Sequence, residues 1–344
     1  METEKKEKIR VLIVDDSPTI RMVLEQFLLS DNEIEVVGKA ENGKEGVELV
    51  TLLKPDIVTM DFEMPVMTGL EATEQIMGYH PTPIVIFTSS LDRKGNDLIF
   101  NALDKGALAV VGKPKDIFQM DPDFIKKIKL LSKVPVITHL YAVEKDLLKS
   151  QVKLSKKINH GKIVGIACST GGPDALKRIL SKLPQGFPVP IAIVQHLAED
   201  FDSEFINWLR IYSNIPLHLI EDGLQVKPGI GYIAPTTIHS MIDEDGIFRF
   251  QDSPPLYGCK PSGDVLLSSI AENYRENALG VILTGMGMDG AKGMLKIKEN
   301  GGKTIAQDEE SSIIFGMPKV AIELGAIQSI SPLDLIPNQI IKML

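Results

Sequence analysis

The sequence predicts two α/β domains, each built on a parallel β-sheet that helices cover. Three observations lead to this prediction. The chain has 344 residues, which exceeds the size of one ordinary hydrophobic core. Short apolar runs alternate with segments of helical periodicity. A basic stretch of weak periodicity separates two such series of elements.

The first series predicts a five-stranded domain that spans residues 8–131. Helical patterns separate its strands, and the first of them, from Ser17 to Leu29, has Pro18 near its start, where a missing N–H is tolerated. Strands that alternate with helices form a parallel sheet with both faces covered. The predicted strands are Ile9–Val14, Glu35–Lys39, Ile57–Asp61, Ile84–Thr88 and Ala109–Val111.

The sequence predicts that residues 132–159 form a partly helical linker and that residues 160–344 form a second domain. The lysine-rich linker is typical of a solvated surface. The pattern of the second domain predicts a doubly wound, mostly parallel sheet. Glycine and proline residues interrupt it, and there we expect a small β-hairpin formed by Gly231–Ala234 and Ile247–Phe250. The predicted strands of the sheet are Lys162–Ala167, Ile191–Gln195, Gly280–Leu283 and Lys303–Ala306.

Charge and hydropathy narrow the classes of function. The formal net charge is −9, which argues against a nucleic-acid platform. The charged segment Met1–Arg10 is not followed by an apolar stretch long enough for a signal peptide. No run approaches the roughly 20 apolar residues of a membrane-spanning helix. We therefore expect a cytoplasmic protein that neither inserts into membranes nor binds nucleic acid.

Acidic residues follow two strands of the first domain. Asp15 and Asp16 end the first strand, and Asp61 ends the third. Because ligands gather at the carboxyl ends of strands in open parallel sheets, we expect the three carboxylates to converge. Their repulsion requires a hard cation such as Mg²⁺, and a carboxylate there can attack phosphorus and hold an aspartyl phosphate. Lys113, which follows the fifth strand, is expected to pair with a phosphoryl oxygen.

Three residues of the second domain form a candidate catalytic triad. Ser169 lies in a glycine-rich turn before a helix, where backbone N–H groups can stabilise an oxyanion. On this segment alone, a phosphate cradle or a plain turn is an equal alternative. His196 and Asp289 also follow predicted strands. A serine needs a histidine to take its proton and an acid to orient that histidine, so the joint placement favours nucleophilic catalysis.

Two other functions compete with this interpretation. Residues 285–290 fit the glycine pattern of a dinucleotide-binding loop, with Asp308 at a plausible distance for a ribose contact. That pattern normally follows the first strand of its domain, however, and it leaves Ser169 and His196 unexplained. A DNA-binding output domain is disfavoured because residues 160–344 are net acidic and contain no basic recognition helix.

The two cysteines, Cys168 and Cys259, lie far apart and lack metal-ligand spacing, so we expect two reduced structural thiols. Cys168 is also a conceivable nucleophile. Adjacent strand residues point to opposite faces, so only one of Cys168 and Ser169 can face the crevice. The glycine turn favours the serine.

Three motifs of the first domain resemble the response-regulator receiver family across residues 8–131. They are Val14-Asp15-Asp16, Asp61-Phe-Glu-Met-Pro65 with Gly69, and Lys113-Pro114. The resemblance implies a five-stranded, flavodoxin-like fold with Asp61 as the phosphoacceptor. It also implies that Asp15, Asp16 and Asp61 hold Mg²⁺, and that Ser89 and Lys113 are the switch residues.

Six segments of the second domain follow the order and spacing of another family. They are Cys168-Ser-Thr-Gly-Gly172, Val194-Gln-His196, Ile233-Ala-Pro235, Lys260-Pro-Ser262 with Asp264, Leu283-Thr-Gly-Met-Gly-Met-Asp-Gly290 and Phe315-Gly-Met-Pro318. They resemble the chemotaxis protein-glutamate methylesterases, the CheB family, over residues 160 to 330. The resemblance implies that Ser169 is the nucleophile, His196 the general base and Asp289 the orienting acid. Amides around Thr170 and Met286 are implied to form the oxyanion hole.

The same resemblance implies an activity and partners. The substrates are γ-glutamyl methyl esters on methyl-accepting chemotaxis receptors, with receptor glutamines deamidated by the same acyl chemistry and no cofactor for the esterase. The histidine kinase CheA is the implied phosphodonor, and phosphorylation is expected to relieve occlusion of the triad by the receiver. Two departures stand out. Thr236-Thr237 replaces a segment that usually carries glycine before His239, and Met288 stands where a polar residue is commoner.

Overall fold

The computed structural model describes residues 8–88, 96–114, 120, 122–136, 161–198 and 201–344, which form two compact units. The predicted linker beyond residue 136 and the predicted switch residue Ser89 lie outside these described residues. Among the described helices, none has both the length and the apolar character that crossing a bilayer requires.

The N-terminal unit is the predicted five-stranded α/β domain. Its elements in chain order are β1 (Ile9–Val14), α1 (Pro18–Leu28), β2 (Ile34–Ala40), α2 (Gly43–Leu53), β3 (Ile57–Met60), α3 (Gly69–Tyr79), β4 (Ile84–Thr88), α4 (Asn96–Asp104), β5 (Ala109–Gly112) and α5 (Pro122–Leu131). The strands lie in the order β2-β1-β3-β4-β5, and every neighbouring pair is parallel. The winding of the chain therefore reverses between β1 and β3, which is where ligands bind in sheets of this kind.

Local side-chain patterns explain why these elements form where they do. Strands β3 and β4 are buried along their whole length, as continuous apolar runs in parallel sheets usually are. Helix α1 begins where the Ser17 side chain accepts a hydrogen bond from the first turn. Helix α3 begins with a reciprocal capping box between Thr68 and Glu71. These two caps hold the loops that follow β1 and β3.

The C-terminal unit is a seven-stranded sheet with a separate hairpin. Its elements are β6 (Ile163–Cys168), α6 (Gly172–Lys182), β7 (Ile191–Gln195), α7 (Asp202–Tyr212), β8 (Leu217–Leu219), β9 (Gly231–Ile233), β10 (His239–Ile242), β11 (Phe248–Gln251), α8 (Gly263–Tyr274), β12 (Ala278–Ile282), α9 (Ala291–Glu299), β13 (Lys303–Gln307), α10 (Met317–Glu323), β14 (Ser329–Ser331) and α11 (Ile336–Met343). Short 3₁₀ turns occur at Arg275–Asn277 and Leu333–Leu335.

The seven strands lie in the order β14-β13-β12-β6-β7-β9-β8, with every neighbouring pair parallel. The first strand of the unit, β6, is central. The chain builds one side of the sheet through β9 and then crosses to the other side at β12. The reversal therefore falls between β6 and β12, the strands that Ser169 and Asp289 follow.

The predicted hairpin is wrong in one of its two strands. Gly231–Ile233 does not pair with the segment near Phe248. It lies in the main sheet as β9, parallel to β7 and β8. The hairpin consists of β10 and β11, because the short loop from Asp243 to Ile247 joins them directly. The rings of Tyr232 and Phe248, 5.0 Å apart, pack the hairpin against β9.

Two strands of the seven-stranded sheet escaped prediction, and both are three residues long. Strand β8 lies at one edge of the seven-stranded sheet and β14 at the other. Three residues are too few to establish a period of two, and β14 contains two serines. Tertiary pairing with β9 and β13 defines these strands.

Candidate active site

The predicted acidic pocket lies at the carboxyl ends of β1 and β3. Asp15 and Asp61 are buried and Asp16 is exposed, and one oxygen from each lies within 4.8 Å of the others. Lys113 Nζ lies 2.7 Å from Asp15 Oδ2 and 2.9 Å from Asp61 Oδ2. The structure thus brings together all three predicted metal acids and the predicted lysine.

The charges of this pocket suit a hard divalent cation. Burial raises the pKa of Asp61, and neighbouring Asp15 adds to the rise, while Lys113 opposes it. Lys113 pairs with two of the three clustered carboxylates, so negative charge remains in excess. Clustered carboxylate oxygens are the ligands that Mg²⁺ prefers. The cluster of Asp15, Asp16 and Asp61 is therefore typical of a Mg²⁺ site.

Gly69, which belongs to the receiver motif, holds the loop that follows Asp61. Its N–H donates to the carbonyl of Phe62 at 2.9 Å. A Cβ at position 69 would collide with the backbone carbonyl of Asp61. Only glycine permits this approach, and the Asp61 carboxylate is oriented further by an N–H donated from Phe62 at 2.8 Å.

Ser169 occupies the turn between β6 and α6 and is partly exposed. Its N–H donates to the carbonyl of Thr284 at 3.0 Å, and its own carbonyl accepts an N–H from Gly172 at 2.8 Å. The Gln195 side chain donates from Nε2 to the carbonyls of both Ser169 and His196, at 2.9 Å each. One buried amide therefore ties the backbones of the predicted nucleophile and the predicted base.

His196 and Asp289 are in direct contact. His196 follows β7, and its N–H donates to the carbonyl of Cys168 at 3.0 Å, which sets it beside Ser169. Its Nε2 lies 2.8 Å from Asp289 Oδ2. Because the carboxylate accepts, Nε2 carries the proton of the neutral ring, which leaves a lone pair on Nδ1. Among the described contacts, no side-chain hydrogen bond joins Ser169 to His196, a separation that substrate-free sites commonly show.

Asp289 is buried, and three further donors hold it at the first turn of α8. Its carboxylate accepts from Ser262 Oγ at 2.6 Å, from the N–H of Gly263 at 2.5 Å and from the N–H of Asp264 at 3.1 Å. Asp264 in turn accepts an N–H from Gly293 in the first turn of α9, at 2.8 Å. Each of the two packed helices is therefore capped by a carboxylate from the other's N-terminal region.

These contacts shift the pKa values of both partners. Burial alone would raise the pKa of Asp289, but hydrogen bonds from His196, Ser262 and the Asp264 amide outweigh it and hold the pKa below its usual value. Burial alone would lower the pKa of His196, but its contacts with Asp289 and Cys259 raise it to about 9. The pair therefore stabilises an imidazolium, the species that forms when a histidine takes a proton from serine.

The predicted oxyanion-hole residues lie in two loops next to Ser169. Thr170 is buried, and its carbonyl accepts from Thr284 Oγ1 at 2.9 Å. Met286 follows Gly285, where an added Cβ would lie 2.7 Å from the Cβ of Ser169. Glycine at position 285 thus lets the loop that carries Met286 approach the serine closely.

Sequence reasoning gave no role to Ser262 and His239. Ser262 is fully buried, donates to Asp289 and caps α8 by accepting from Val265, so its hydroxyl faces no substrate. Its N–H donates to His239 Nδ1 at 3.0 Å, and His239 Nε2 lies 3.2 Å from the carbonyl of Pro254. The capping position of Ser262 is visible in the sequence, whereas its bond to Asp289 depends on tertiary structure.

Both cysteines are free thiols, and they lie in different surroundings. Cys168 is fully buried, and burial raises the pKa of its thiol, which favours the inert form. Cys259 is only partly buried, and its Sγ lies 3.7 Å from His196 Nδ1. No sequence spacing indicates this contact, because 63 residues separate the two positions.

The remaining predictions concern the Thr236-Thr237 segment and the alternative dinucleotide-binding pattern. Thr236 is buried, and its N–H donates to the carboxylate of Asp202 at 3.0 Å. This bond anchors the Thr236-Thr237 segment, which differs from the usual family pattern. Asp308, the proposed ribose contact, accepts instead from the N–H and Oγ of Ser311. The glycine pattern at residues 285–290 is thus built into the loops around Ser169 and Asp289.

Comparison with known families divides the chain in the same way. The CheB methylesterase family matches residues 164–340, and the response regulator receiver domain family matches residues 11–121. In solved structures, the chain is similar to the CheB methylesterase catalytic domain of Thermotoga maritima. The two share 40% identity with a TM-score of 0.52, over 54% of this chain and 100% of that one.

Two relatives match this chain along nearly its whole length. A protein-glutamate methylesterase/protein-glutamine glutaminase of Geobacter metallireducens is 39% identical over 95% of this chain and 96% of its own. One from Methanococcus maripaludis is 39% identical over 97% of this chain and 98% of its own. The match to the catalytic family covers more than half of the chain, and these relatives extend it to nearly all of it. The chain therefore belongs to the CheB methylesterase family, with a receiver domain preceding the catalytic domain.

Proposed function

We propose that the chain is a phosphorylation-regulated hydrolase that demethylates γ-glutamyl methyl esters on chemotaxis receptors and deamidates receptor glutamines. The observation that carries this proposal is the hydrogen bond between His196 and Asp289, formed at the sheet edge where Ser169 directly follows β6. The names of its relatives supply the substrate class, since both relatives described above are methylesterase/glutaminases.

In the proposed reaction, His196 Nδ1 takes the proton of Ser169 Oγ, which attacks the ester carbonyl. Amides of Thr170 and Met286 stabilise the oxyanion. The protonated His196, held by Asp289, then gives its proton to the departing methoxide, and methanol leaves. Water, deprotonated by His196, hydrolyses the acyl-enzyme and restores Ser169 and a free glutamate. With a glutamine substrate, ammonia leaves instead of methanol.

Two other side chains fit the nucleophile's role less well than Ser169. Cys168 is fully buried in β6 and its thiol contacts the carbonyl of Val194 at 3.6 Å. Ser262 is buried and its hydroxyl is engaged with Asp289. Ser169 is partly exposed in a glycine turn beside His196, which leaves its oxygen open to a substrate.

The proposed regulatory chemistry takes place in the acidic pocket of the receiver. Asp61 accepts a phosphoryl group from a histidine kinase, CheA, while Asp15, Asp16 and Asp61 hold Mg²⁺, which neutralises the incoming charge. Lys113 then pairs with a phosphoryl oxygen, and Ser89 completes the switch. Both proposed partners imply that the protein works in the cytoplasm.

A small phosphodonor with Mg²⁺ is expected to label Asp61. The label should disappear in Asp61→Asn and when a chelator removes the metal, because the amide is a poor nucleophile and the unneutralised carboxylates repel the phosphoryl group. Radiolabel incorporation measures the effect, with Asp56→Asn as a control for another aspartate of the same domain. Equal labelling of Asp61→Asn would place the acceptor elsewhere.

We propose that the receiver spans residues 8–131, the linker 132–159 and the catalytic domain 160–344. If the unphosphorylated receiver limits access to the triad, a fragment that begins at residue 160 should be faster than the whole protein. Phosphorylation should raise the rate of the whole protein toward that of the fragment, because it increases the fraction of molecules in which the triad is accessible. The assay is methanol release from methylated receptor membranes, with and without phosphodonor. A fragment no faster than the unphosphorylated protein would rule out occlusion.

A further inference from the structure

A thiol lies in the catalytic site, next to the ring nitrogen of His196 that Asp289 leaves free. Cys259 Sγ is 3.7 Å from His196 Nδ1 and 3.8 Å from the carbonyl of Tyr257. The residue is only partly buried. The proposed hydrolysis uses no thiol. A strong metal ligand therefore faces the base without a part in the reaction.

The spacing of these two atoms suits tetrahedral zinc. With Zn–S near 2.3 Å and Zn–N near 2.0–2.1 Å, two tetrahedral ligand atoms lie about 3.6 Å apart. Cys259 Sγ and His196 Nδ1 are 3.7 Å apart. An oxygen of Asp289 also lies within 4.8 Å of both ligand groups, which places a negative charge beside the site.

The hydrogen bond between His196 and Asp289 prepares the ring for a metal. Histidines that ligate metals almost always donate their other ring N–H to a carboxylate or carbonyl, which fixes the tautomer and makes the ligating nitrogen more basic. His196 does this, since Nε2 donates to Asp289 Oδ2 at 2.8 Å. The arrangement that suits a catalytic triad thus also suits a zinc-binding histidine.

We propose that Cys259 Sγ and His196 Nδ1 form an inhibitory binding site for a soft divalent cation, Zn²⁺, with water in the remaining positions. On binding, the thiol releases its proton to solvent and the thiolate and imidazole each donate an electron pair to the metal. The ion then occupies the lone pair that takes the proton of Ser169, so hydrolysis stops. The inhibition rests on the proposed role of His196, whereas the binding does not.

Binding is tested with Co²⁺ as a spectroscopic substitute for zinc on the full-length protein in excess Mg²⁺, which occupies the acidic pocket of the receiver. Thiolate coordination gives a near-ultraviolet sulfur-to-cobalt charge-transfer band, which is expected to saturate at one equivalent. Cys259→Ala should lose the band, while Cys168→Ala, the matched change at the other cysteine, should keep it. Ser169→Ala should also keep it. A band that persists in Cys259→Ala, or that is absent from the unmodified protein, would overturn the site.

Inhibition is tested by methanol release with excess Mg²⁺, which saturates the acidic pocket of the receiver. Zn²⁺ is expected to inhibit the unmodified protein and Cys168→Ala reversibly, with activity restored by chelation. Each variant is compared with its own rate without zinc, and Cys259→Ala should need at least tenfold more zinc for the same inhibition. A Cys259-dependent cobalt band without zinc inhibition would overturn the inhibitory role. The same band in a protein without esterase activity would leave the site standing and refute the proposed function.

Discussion

Replacing Ser169 by alanine is expected to lower methanol release by at least about 10⁴-fold, because members of a triad act as one unit and the remaining groups cannot form an acyl-enzyme. Ser169 lies partly exposed in a turn, and its described hydrogen bonds are made by its backbone, so the fold should survive the change. Thermal unfolding of the variant checks this expectation beside the assay.

Cys168→Ala is the matched control for this experiment. It removes the neighbouring side chain, which is fully buried and contacts the carbonyl of Val194. Activity should stay near that of the unmodified protein. Full activity in Ser169→Ala, or loss of activity in a folded Cys168→Ala protein, would contradict Ser169 as the nucleophile and favour Cys168.

Replacing Asp289 by asparagine should reduce methanol release by about 10⁴-fold. The amide can donate to His196 Nε2, which favours the tautomer with the proton on Nδ1 and removes the lone pair needed by Ser169. It also cannot stabilise the imidazolium. The measurement is the methanol-release rate at saturating substrate, with the unfolding temperature recorded, because Asp289 also accepts from Ser262, Gly263 and Asp264.

Ser262→Ala tests whether the effect of Asp289 comes from orienting His196 or from its other hydrogen bonds. It removes one of the four hydrogen bonds to that carboxylate and leaves the bond to His196. The rate should fall by at most about 100-fold, since one charged hydrogen bond contributes roughly 1.5–3 kcal/mol. Equal losses in Ser262→Ala and Asp289→Asn, with both proteins folded, would show that the acid's role is structural.

The candidate site residues that sequence reasoning selected share one property, which is their position at the end of a strand. Asp15, Asp61, Ser169 and His196 directly follow buried apolar runs, and parallel pairing brings such positions to one edge. The period of each run is therefore sufficient to place them. Asp289 was found by the same reasoning, although six residues of loop separate it from β12.

The contacts that sequence analysis missed come from segments without a period. Ser262 and Cys259 lie between the hairpin and α8, where the chain has no repeating apolar pattern. Their approach to Asp289 and His196 depends on how the hairpin packs against β9, a tertiary contact that local propensity does not encode. The misplaced hairpin strand has the same cause, because a short apolar run fits a sheet or a hairpin equally well.

The interlocked helix caps at Asp264 and Asp289 affect how this enzyme can lose its activity over evolution. In the proposed mechanism, substituting Ser169 or His196 removes the chemistry, and both carboxylates stay bound to the first turns of α8 and α9. Substituting Asp289 removes the chemistry and also strips a cap from a buried helix. Folded but catalytically silent descendants should therefore arise through the serine or the histidine and keep the aspartate.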